Sequence, residues 1–125
     1  MSQDIVSDAL NMVKNTKKAG KESVNVKRIS NLLIEVLKIM KQKGAIKKYK
    51  INKEKSIDIS LGDIHECRAI KPRFSVNKNQ IEKYIRRYLP ARNLGTIIIS
   101  TNNGLMTHKE ALEKKIGGCL IAYFY

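Results

Sequence analysis

The sequence predicts an α+β protein made of two small linked halves, residues 1–63 and 64–125. Up to Gly44 the apolar residues repeat mainly at the spacing of helices, and after it they alternate with polar residues at the spacing of strands. The Gly62-Asp63 pair then interrupts the pattern, and we place the boundary between the halves there. With 125 residues, 42% of them apolar, the chain can form one compact core or two small halves that share one.

The first half is predicted to be an α-β-α-β-β unit that opens with a helix from Asp4 to Lys18. Gly20 is placed to end this helix, because glycine readily adopts the left-handed conformation that closes many helices. The apolar face of the helix is predicted to comprise Ile5, Ala9, Met12 and Val13. The next segment, Ser23 to Lys27, alternates polar and apolar residues and therefore predicts a short half-buried strand.

A second helix is predicted after that strand, with Ser30 or Asn31 as its N-terminal cap. Its apolar stripe is predicted to comprise Ile29, Leu33, Val36, Leu37 and Met40. Gly44 follows the last of these residues and predicts the end of the helix.

Two strands joined by a hairpin loop complete the first half. Apolar side chains sit among lysines between Ile46 and Ile51, which predicts the first strand. The polar tetrad Asn52–Lys55 is typical of a hairpin loop. The segment Ser56–Leu61 alternates strictly between polar and apolar residues, which is the clearest strand pattern in the chain.

The second half is predicted to be rich in strands, with short helices between them. It begins with an extended piece from Ala69 to Val76, where Pro72 favours an edge strand or a loop. A short amphipathic helix is predicted within Asn79–Tyr88. The β-branched run Thr96–Ile99 follows and is typical of a strand that is buried on both faces.

Beyond that strand the sequence predicts a polar loop, a helix and a final strand. The loop comprises Ser100, Thr101, Asn102, Asn103 and Gly104. Thr107 and Glu110 have the spacing of a capping box and open a helix that runs to about Lys115. Gly117 and Gly118 are predicted to break this helix, and the apolar segment from Cys119 to Tyr125 closes the chain as a strand.

Positive charge is the strongest feature of the composition. The chain has 25 Lys and Arg against 11 Asp and Glu, a formal net charge of +14. So large a charge repels itself and favours a polyanionic partner, either nucleic acid or an anionic membrane surface. A cleft for a cationic substrate is excluded by the same charge.

The positive charge is concentrated toward the beginning of the chain. Residues 1–55 hold 14 basic and 5 acidic side chains, a net charge of +9. Any single lysine there is as consistent with a solvated face as with a binding site, but together they predict a surface that follows phosphates. The candidate phosphate-binding residues named from this group are Lys14, Lys17, Lys18 and Arg28.

Several classes of protein are excluded by what the sequence lacks. No apolar run approaches the roughly 20 residues of a membrane span, and residues 1–25 do not have the pattern of a secretory signal. Only two cysteines are present, Cys67 and Cys119, which is too few for a disulfide scaffold. We therefore expect reduced thiols in a cytoplasmic protein, Cys119 in a core strand and Cys67 in a loop.

Catalytic and metal-binding functions are poorly supported. The two histidines, His65 and His108, lie in no known nucleophile motif, and the seven glycines form no phosphate-binding loop. The histidines and the two cysteines are four potential zinc ligands, but they lack the paired spacing of structural zinc sites. We expect no enzyme activity, no cofactor, no metal and no small-molecule substrate.

Specific recognition requires groups other than lysine, because phosphate contacts position a protein while other contacts select the target. The polar loop at residues 100–104 and the glycine pair at 117–118 are the best candidates. Small hydroxyl and amide side chains let the backbone approach closely and can bond a 2′-hydroxyl or an unstacked base. The alternative is an ordinary hairpin turn, for which Asn-Gly is a standard signal.

The segment from Ser100 to Ala111, the glycine pair and the closing run Leu120–Tyr125 resemble the C-terminal signature of the ribosomal protein S8 family of the small subunit. Two upstream segments, Lys71–Phe74 and Tyr88–Arg92, resemble the archaeal and eukaryotic branch of that family. The resemblance covers essentially the whole chain. The chain departs from the family pattern in the polar loop, where an asparagine stands at a position that is usually Ser or Thr.

The resemblance implies a primary binder of a stem in the central domain of small-subunit ribosomal RNA, which assists RNA folding and subunit assembly and catalyses nothing. It implies that Ser100 and Thr101 meet the RNA minor groove, and we expect Lys71 and Arg73 to bind RNA as well. Neighbouring small-subunit ribosomal proteins are the other expected partners. Two alternatives remain: a general basic chromatin or DNA-binding protein, and a lysine-rich enzyme that acts on RNA.

Overall fold

The computed structural model describes residues 5–70, 75–91 and 94–125. The chain forms two compact units, the first ending at Cys67 and the second beginning at Arg68. Their helices and strands confirm the predicted α+β class, with an α-β-α-β-β order in the first unit and a β-rich second unit. In the described ranges, no helix combines the length and the apolar character needed to cross a membrane.

The first unit contains a three-stranded antiparallel sheet with two helices. Its elements are α1 (Ile5–Lys18), β1 (Ser23–Val26), α2 (Asn31–Gln42), β2 (Ile46–Ile51) and β3 (Ile57–Leu61). The strand order is β1-β3-β2, so the strictly alternating strand β3 lies in the middle. Ile57, Ile59 and Leu61 on β3 are buried, as the alternation of polar and apolar residues in this strand predicts. They form an apolar face of the sheet on which helix side chains can pack.

The buried face of helix α1 agrees with the predicted one in part, since Ala9 and Val13 are buried as predicted. The buried residues are Val6, Ala9, Leu10 and Val13, which follow the spacing i, i+3, i+4 and i+7. The prediction that Met12 lies on the buried face is wrong, because its side chain is 39% exposed, and Ile5 is only partly buried. Both faces contain apolar residues, and tertiary packing selects the one that includes Leu10.

Both helices of the first unit end at the glycines that the sequence predicts. At the end of α2 the Gly44 N–H donates to the Lys41 carbonyl and the Ala45 N–H to the Met40 carbonyl, the paired bonds of a Schellman motif. Gly44 has a φ of 81° there, and Gly20 closes α1 in the same way with a φ of 78°. At the other end of α2, Ser30 and not Asn31 is the cap, since its hydroxyl accepts from the Leu33 N–H.

The second unit is built on an antiparallel sheet with two short helices. Its elements are β4 (Cys67–Ala69, whose first residue still belongs to the first unit), β5 (Ser75–Val76), α3 (Ile81–Tyr88), β6 (Thr96–Thr101), β7 (Gly104–Thr107), α4 (His108–Lys114) and β8 (Gly118–Phe124). The strand order is β4-β8-β6-β7, and β5 also pairs with β8. The predicted extended piece from Ala69 to Val76 is described only at its two ends, because residues 71–74 lie outside the described ranges.

Strand β6 lies between β8 and β7, and it is the most deeply buried strand of the sheet. Thr96 is 6% exposed, and the three isoleucines that follow it are fully buried, as the β-branched run predicts. Ile97 and Ile99 pack in a core cluster with Leu120 of β8 and with Ile81 and Ile85 of α3. This buried strand forms a rigid base for the segment that follows it.

Two predictions about the second half are corrected by the structure. Cys67 does not lie in a loop: it starts β4, is 1% exposed, and its thiol donates to the Leu10 carbonyl over 3.3 Å. Helix α4 ends before the glycine pair, because Lys115 itself adopts the left-handed conformation with a φ of 56°. Gly117 and Gly118 therefore serve another purpose than breaking that helix.

Candidate nucleic-acid interface

The predicted polar loop is the tip of a β-hairpin, and most of it belongs to strands. Ser100 and Thr101 end β6 and Gly104 begins β7, so only Asn102 and Asn103 form the turn. Gly104 has a φ of 102°, whereas neither asparagine has a positive φ. The two-residue turn that Asn-Gly commonly signals, type I′, needs a positive φ at both central residues, which Asn102 and Asn103 do not have. The observed φ values fit a turn that is closed by a glycine with a positive φ.

The Thr101 hydroxyl stabilises this turn from within. It donates to the Gly104 carbonyl over 2.8 Å and accepts from the Asn103 N–H over 3.1 Å. Since the single hydroxyl proton is used by the turn, Thr101 cannot donate it to a ligand without opening the turn. Its position therefore favours a role in shaping the tip over direct contact.

The groups that remain available for a ligand at the tip belong to the residues beside Thr101. The side chains of Asn102 and Asn103 are exposed, and Ser100 is partly buried. Among the described residues, no hydrogen bond is seen from the hydroxyl of Ser100 or from the side-chain amides of the two asparagines. These groups offer both donors and acceptors on a tip that the Thr101 bonds hold in shape.

The glycine pair supports the hairpin from the neighbouring strands. A side chain at Gly118 would collide with the Ser100 carbonyl oxygen and come within 2.9 Å of Ile99 Cγ2. A side chain at Gly117 would collide with the Val76 carbonyl oxygen on β5. The two glycines thus allow the backbones of β5, β6 and β8 to approach closely beside the tip. Any other residue at either position would collide with a neighbouring strand.

The far end of the hairpin is anchored by buried polar groups. Thr107 caps α4, because its hydroxyl accepts from the Glu110 N–H over 3.3 Å. His108 is 2% exposed, and its Nδ1 accepts from the Ile97 N–H over 3.1 Å. His108 is therefore a structural residue that ties the start of α4 to β6.

Potential metal ligands do not converge in the part of the chain that the structure describes, where no three His, Cys, Asp or Glu side chains are grouped closely enough to hold an ion. Burial raises the pKa of the Cys67 thiol to about 12, so this group stays protonated at neutral pH. A protonated, buried thiol is neither a nucleophile nor a metal ligand.

The candidate cations of the first unit fall into different environments. Lys14 is the least available, since its ammonium lies 3.0 Å from a Glu66 carboxylate oxygen and its side chain is only 16% exposed. Arg28 lies 3.8 Å from Asp8 on the surface, a pairing that solvent weakens. Lys18 is exposed.

Lys17 lines a shallow basic groove of about 320 Å³ in the first unit. Its ammonium approaches the Gly62 carbonyl at 3.4 Å. The other residues that line this basic groove are Gly20, Lys21, Glu22, Lys47, Leu61 and Gly62. Three ammonium groups against one carboxylate give the basic groove a net positive charge, which suits a phosphate.

An ordered polar network, which the sequence does not reveal, stabilises the hairpin of the first unit. Asn25 and Asn52 donate from their side-chain amides to the two carboxylate oxygens of Asp58, over 2.6 and 3.1 Å. These two bonds lower the pKa of Asp58 below its usual value of 3.8, and the bond from Asn25 has the larger effect. Both amides also lie within hydrogen-bond distance of the buried Ser56 hydroxyl, and this network holds the loop between β2 and β3.

The structure leaves two of the predicted site residues undescribed, because Lys71 and Arg73 lie outside the described ranges. The remaining candidates lie in two groups, one in each unit. The hairpin tip and the glycine pair come together in the second unit through the pairing of β6 with β8. The basic groove and its neighbouring lysines belong to the first unit.

Comparisons with known proteins point in one direction. The family model described as Ribosomal protein S8 matches residues 4–125. The chain is 46% identical to the small ribosomal subunit protein uS8 of Nanoarchaeum equitans and 40% identical to that of Archaeoglobus fulgidus, and each comparison covers all of both chains. It is also 36% identical, again over the full length of both chains, to the small ribosomal subunit protein uS8my of Arabidopsis thaliana.

Proposed function

We propose, from the premise that this chain belongs to the ribosomal protein S8 family, that it binds a stem in the central domain of small-subunit ribosomal RNA and assists RNA folding during subunit assembly. Membership makes the chain a structural constituent of the small ribosomal subunit, located with the ribosome in the cytoplasm, and not an enzyme. The resemblance, the non-enzymatic function and the ribosomal location predicted from the sequence are confirmed by this membership.

The observation that supports the proposal most directly is the shaped, uncharged hairpin tip. Its turn is held by the two Thr101 bonds, and the Ser100 hydroxyl and the asparagine amides beside it carry donors and acceptors. The wide minor groove of an RNA helix displays 2′-hydroxyls and base edges, which such groups can bond. A turn that is already ordered loses little conformational entropy on binding.

Affinity in this proposal comes from a second set of groups. Lys17, Lys21 and Lys47 around the basic groove, together with Lys18, neutralise backbone phosphates. Such contacts release counterions and weaken as salt increases. The lysines therefore draw the protein to any RNA, and the hairpin tip selects the stem.

The test measures binding to a transcript of the small-subunit central domain, to a perfect RNA duplex of equal length and to a DNA duplex of that length, across a salt series. We expect the preference for the transcript to persist at high salt, where the phosphate contribution has faded. Ser100→Ala should weaken binding to the transcript by about 1 kcal/mol, roughly fivefold, and leave binding to the duplex unchanged.

The matched control is Ser23→Ala, which removes an exposed hydroxyl from β1 in the first unit. It should change neither affinity. If Ser100→Ala has no more effect than this control, the hairpin tip is not the recognition element. If the wild type binds both RNAs and duplex DNA equally at every salt concentration, it is a general basic nucleic-acid-binding protein.

A further inference from the structure

Four tyrosines form a continuous ladder in the second unit. Tyr84 stacks on Tyr88, Tyr88 on Tyr123 and Tyr123 on Tyr125, with centroid separations of 6.2, 5.1 and 6.4 Å and interplanar angles of 18°, 28° and 13°. We call these four residues the tyrosine ladder. Each is only partly buried and packs against the core cluster of the unit. The chain has five tyrosines and no tryptophan, so most of its polar aromatic side chains lie in this one place.

Cations lie directly over the tyrosine ladder. Lys83 Nζ is 5.8 Å from the ring centroid of Tyr84, and Arg87 Cζ is 5.7 Å from that of Tyr88, both within the range of a cation–π interaction. Helix α3 also exposes Arg86, so its eight residues carry three cations and one carboxylate, Glu82. Aromatic rings beside guanidinium and ammonium groups are the combination that binds unpaired nucleotides, through stacking and through phosphate contacts.

The tyrosine ladder and the hairpin tip lie at opposite ends of the same pair of strands. Tyr123 on β8 pairs with Ile97 near the beginning of β6, whereas the tip follows Thr101 at its end. Four residues of strand separate these positions by about 13 Å. The hairpin tip and the tyrosine ladder are therefore separate surfaces, and an RNA that contacts both must extend over this distance.

We propose that the tyrosine ladder and the cations of α3 form a second RNA contact, which takes an unpaired segment of the ribosomal RNA that the hairpin tip binds. This rests on the proposed function for the identity of the RNA. Bases stack against the partly exposed rings, and Lys83, Arg86 and Arg87 contact the phosphates of the same segment. Because stacking accepts every base, this contact adds affinity without reading sequence.

The test uses the full chain and a fluorescein-labelled single-stranded 12-mer of uridine, whose bases stack weakly on each other. We expect the wild type to bind it, and the double variant Tyr84→Leu with Tyr125→Leu to bind it about tenfold more weakly. Leucine keeps apolar bulk against the core, and circular dichroism checks that each variant is folded. A second double variant, Arg86→Gln with Arg87→Gln, should also weaken binding and leaves the rings in place.

The matched control is Lys109→Gln with Lys114→Gln, which removes two exposed charges from α4 in the same unit. Its loss of affinity should be clearly smaller than that of the arginine variant. Equal losses in these two variants, or no binding of the 12-mer by the wild type, overturn the proposal. Ser100→Ala should not change the affinity for the 12-mer. If Ser100→Ala also leaves binding to the central-domain transcript unchanged, that result contradicts the proposed function and leaves the proposal for the tyrosine ladder intact.

Discussion

The hairpin formed by β2 and β3 and the hairpin formed by β6 and β7 are alike in construction, but the first is rich in lysine and the second is uncharged. Five lysines lie between Ile46 and Leu61 in the first, whereas the second, from Thr96 to Thr107, has no charged residue. In each, side-chain hydrogen bonds stabilise the loop: the network around Asp58 in one and the Thr101 hydroxyl in the other. Charge attracts RNA at long range, whereas discrimination among RNA targets requires contacts other than those to phosphates.

The supporting strands also differ between the two hairpins. The β6–β7 hairpin stands on a strand whose first four residues are buried, beside a glycine pair that admits close backbone approach. In the β2–β3 hairpin, by contrast, most of β2 is exposed or only partly buried. We therefore expect recognition to depend on the geometry of the second hairpin, and attraction to depend on the number of positive charges in the first unit, which includes the first hairpin.

The largest effect is expected from Gly118→Ala, which places a Cβ against the Ser100 carbonyl and Ile99. Overpacking of this kind should lower the free energy of unfolding by about 3 kcal/mol, measured by urea denaturation. The control is Gly104→Ala, where nothing lies within 4 Å of the new Cβ and only the backbone conformation is strained, at about 1–2 kcal/mol. Equal losses would show that the close approach at Gly118 is unimportant.

A smaller effect is expected from Thr101→Val, which removes both hydroxyl bonds of the turn while keeping the shape of the side chain. The free energy of unfolding should fall by about 1–2 kcal/mol, and the Asn103 amide should exchange its hydrogen faster. Thr101→Ser keeps the hydroxyl and should retain the slow exchange. If valine and serine behave alike, the hydroxyl does not hold the turn.

The basic groove should affect attraction alone. Removing two of its charges with Lys21→Gln and Lys47→Gln should reduce the slope of log affinity against log salt by about 1–2. Affinity for the central-domain transcript and for the duplex should fall by the same factor, because phosphates are common to both. Ser100→Ala should leave the slope unchanged. A loss confined to the transcript would mean that the basic groove takes part in recognition.

The smallest effect concerns pH and the network of the first hairpin. Because the folded-state pKa of Asp58 is lowered from 3.8 by bonds from Asn25 and Asn52, folding favours the carboxylate. Its contribution to stability is therefore present above about pH 4 and is lost as the pH falls through the folded-state value. The difference in melting temperature between wild type and Asp58→Ala should shrink below about pH 4. A difference that stays constant down to pH 2 would contradict this assignment.

Features that depend on a few neighbouring residues were predicted well. Gly20 and Gly44 end their helices as expected, because left-handed closure needs only the last helical turn and the glycine itself. Thr107 caps α4 for the same reason, since its partner lies three residues away. The alternation of Ser56–Leu61 and the β-branched run Thr96–Ile99 also predicted strands correctly.

Features that depend on distant segments were missed. The choice between Met12 and Leu10 on α1 is made by what packs against the helix, and not by its periodicity. Lys115 adopts the conformation expected of a glycine, while Gly117 and Gly118 are required by the strands that pass beside them. No pattern in the neighbouring sequence contains that information, because the contacts form only when the sheet assembles.

The amino-acid sequence alone accounts for the α+β class, the helix ends, the excess of positive charge and the position of an uncharged hairpin near residue 102. Tertiary structure decided which groups remain available to a ligand. Lys14 is paired with Glu66, and the Thr101 hydroxyl is used by its own turn. The rings of Tyr88 on α3 and Tyr123 on β8 stack only because the fold brings them together. Helix ends, turns and charge arise from interactions over a few residues. Availability arises from burial and pairing between segments far apart in sequence, which only the folded chain brings together.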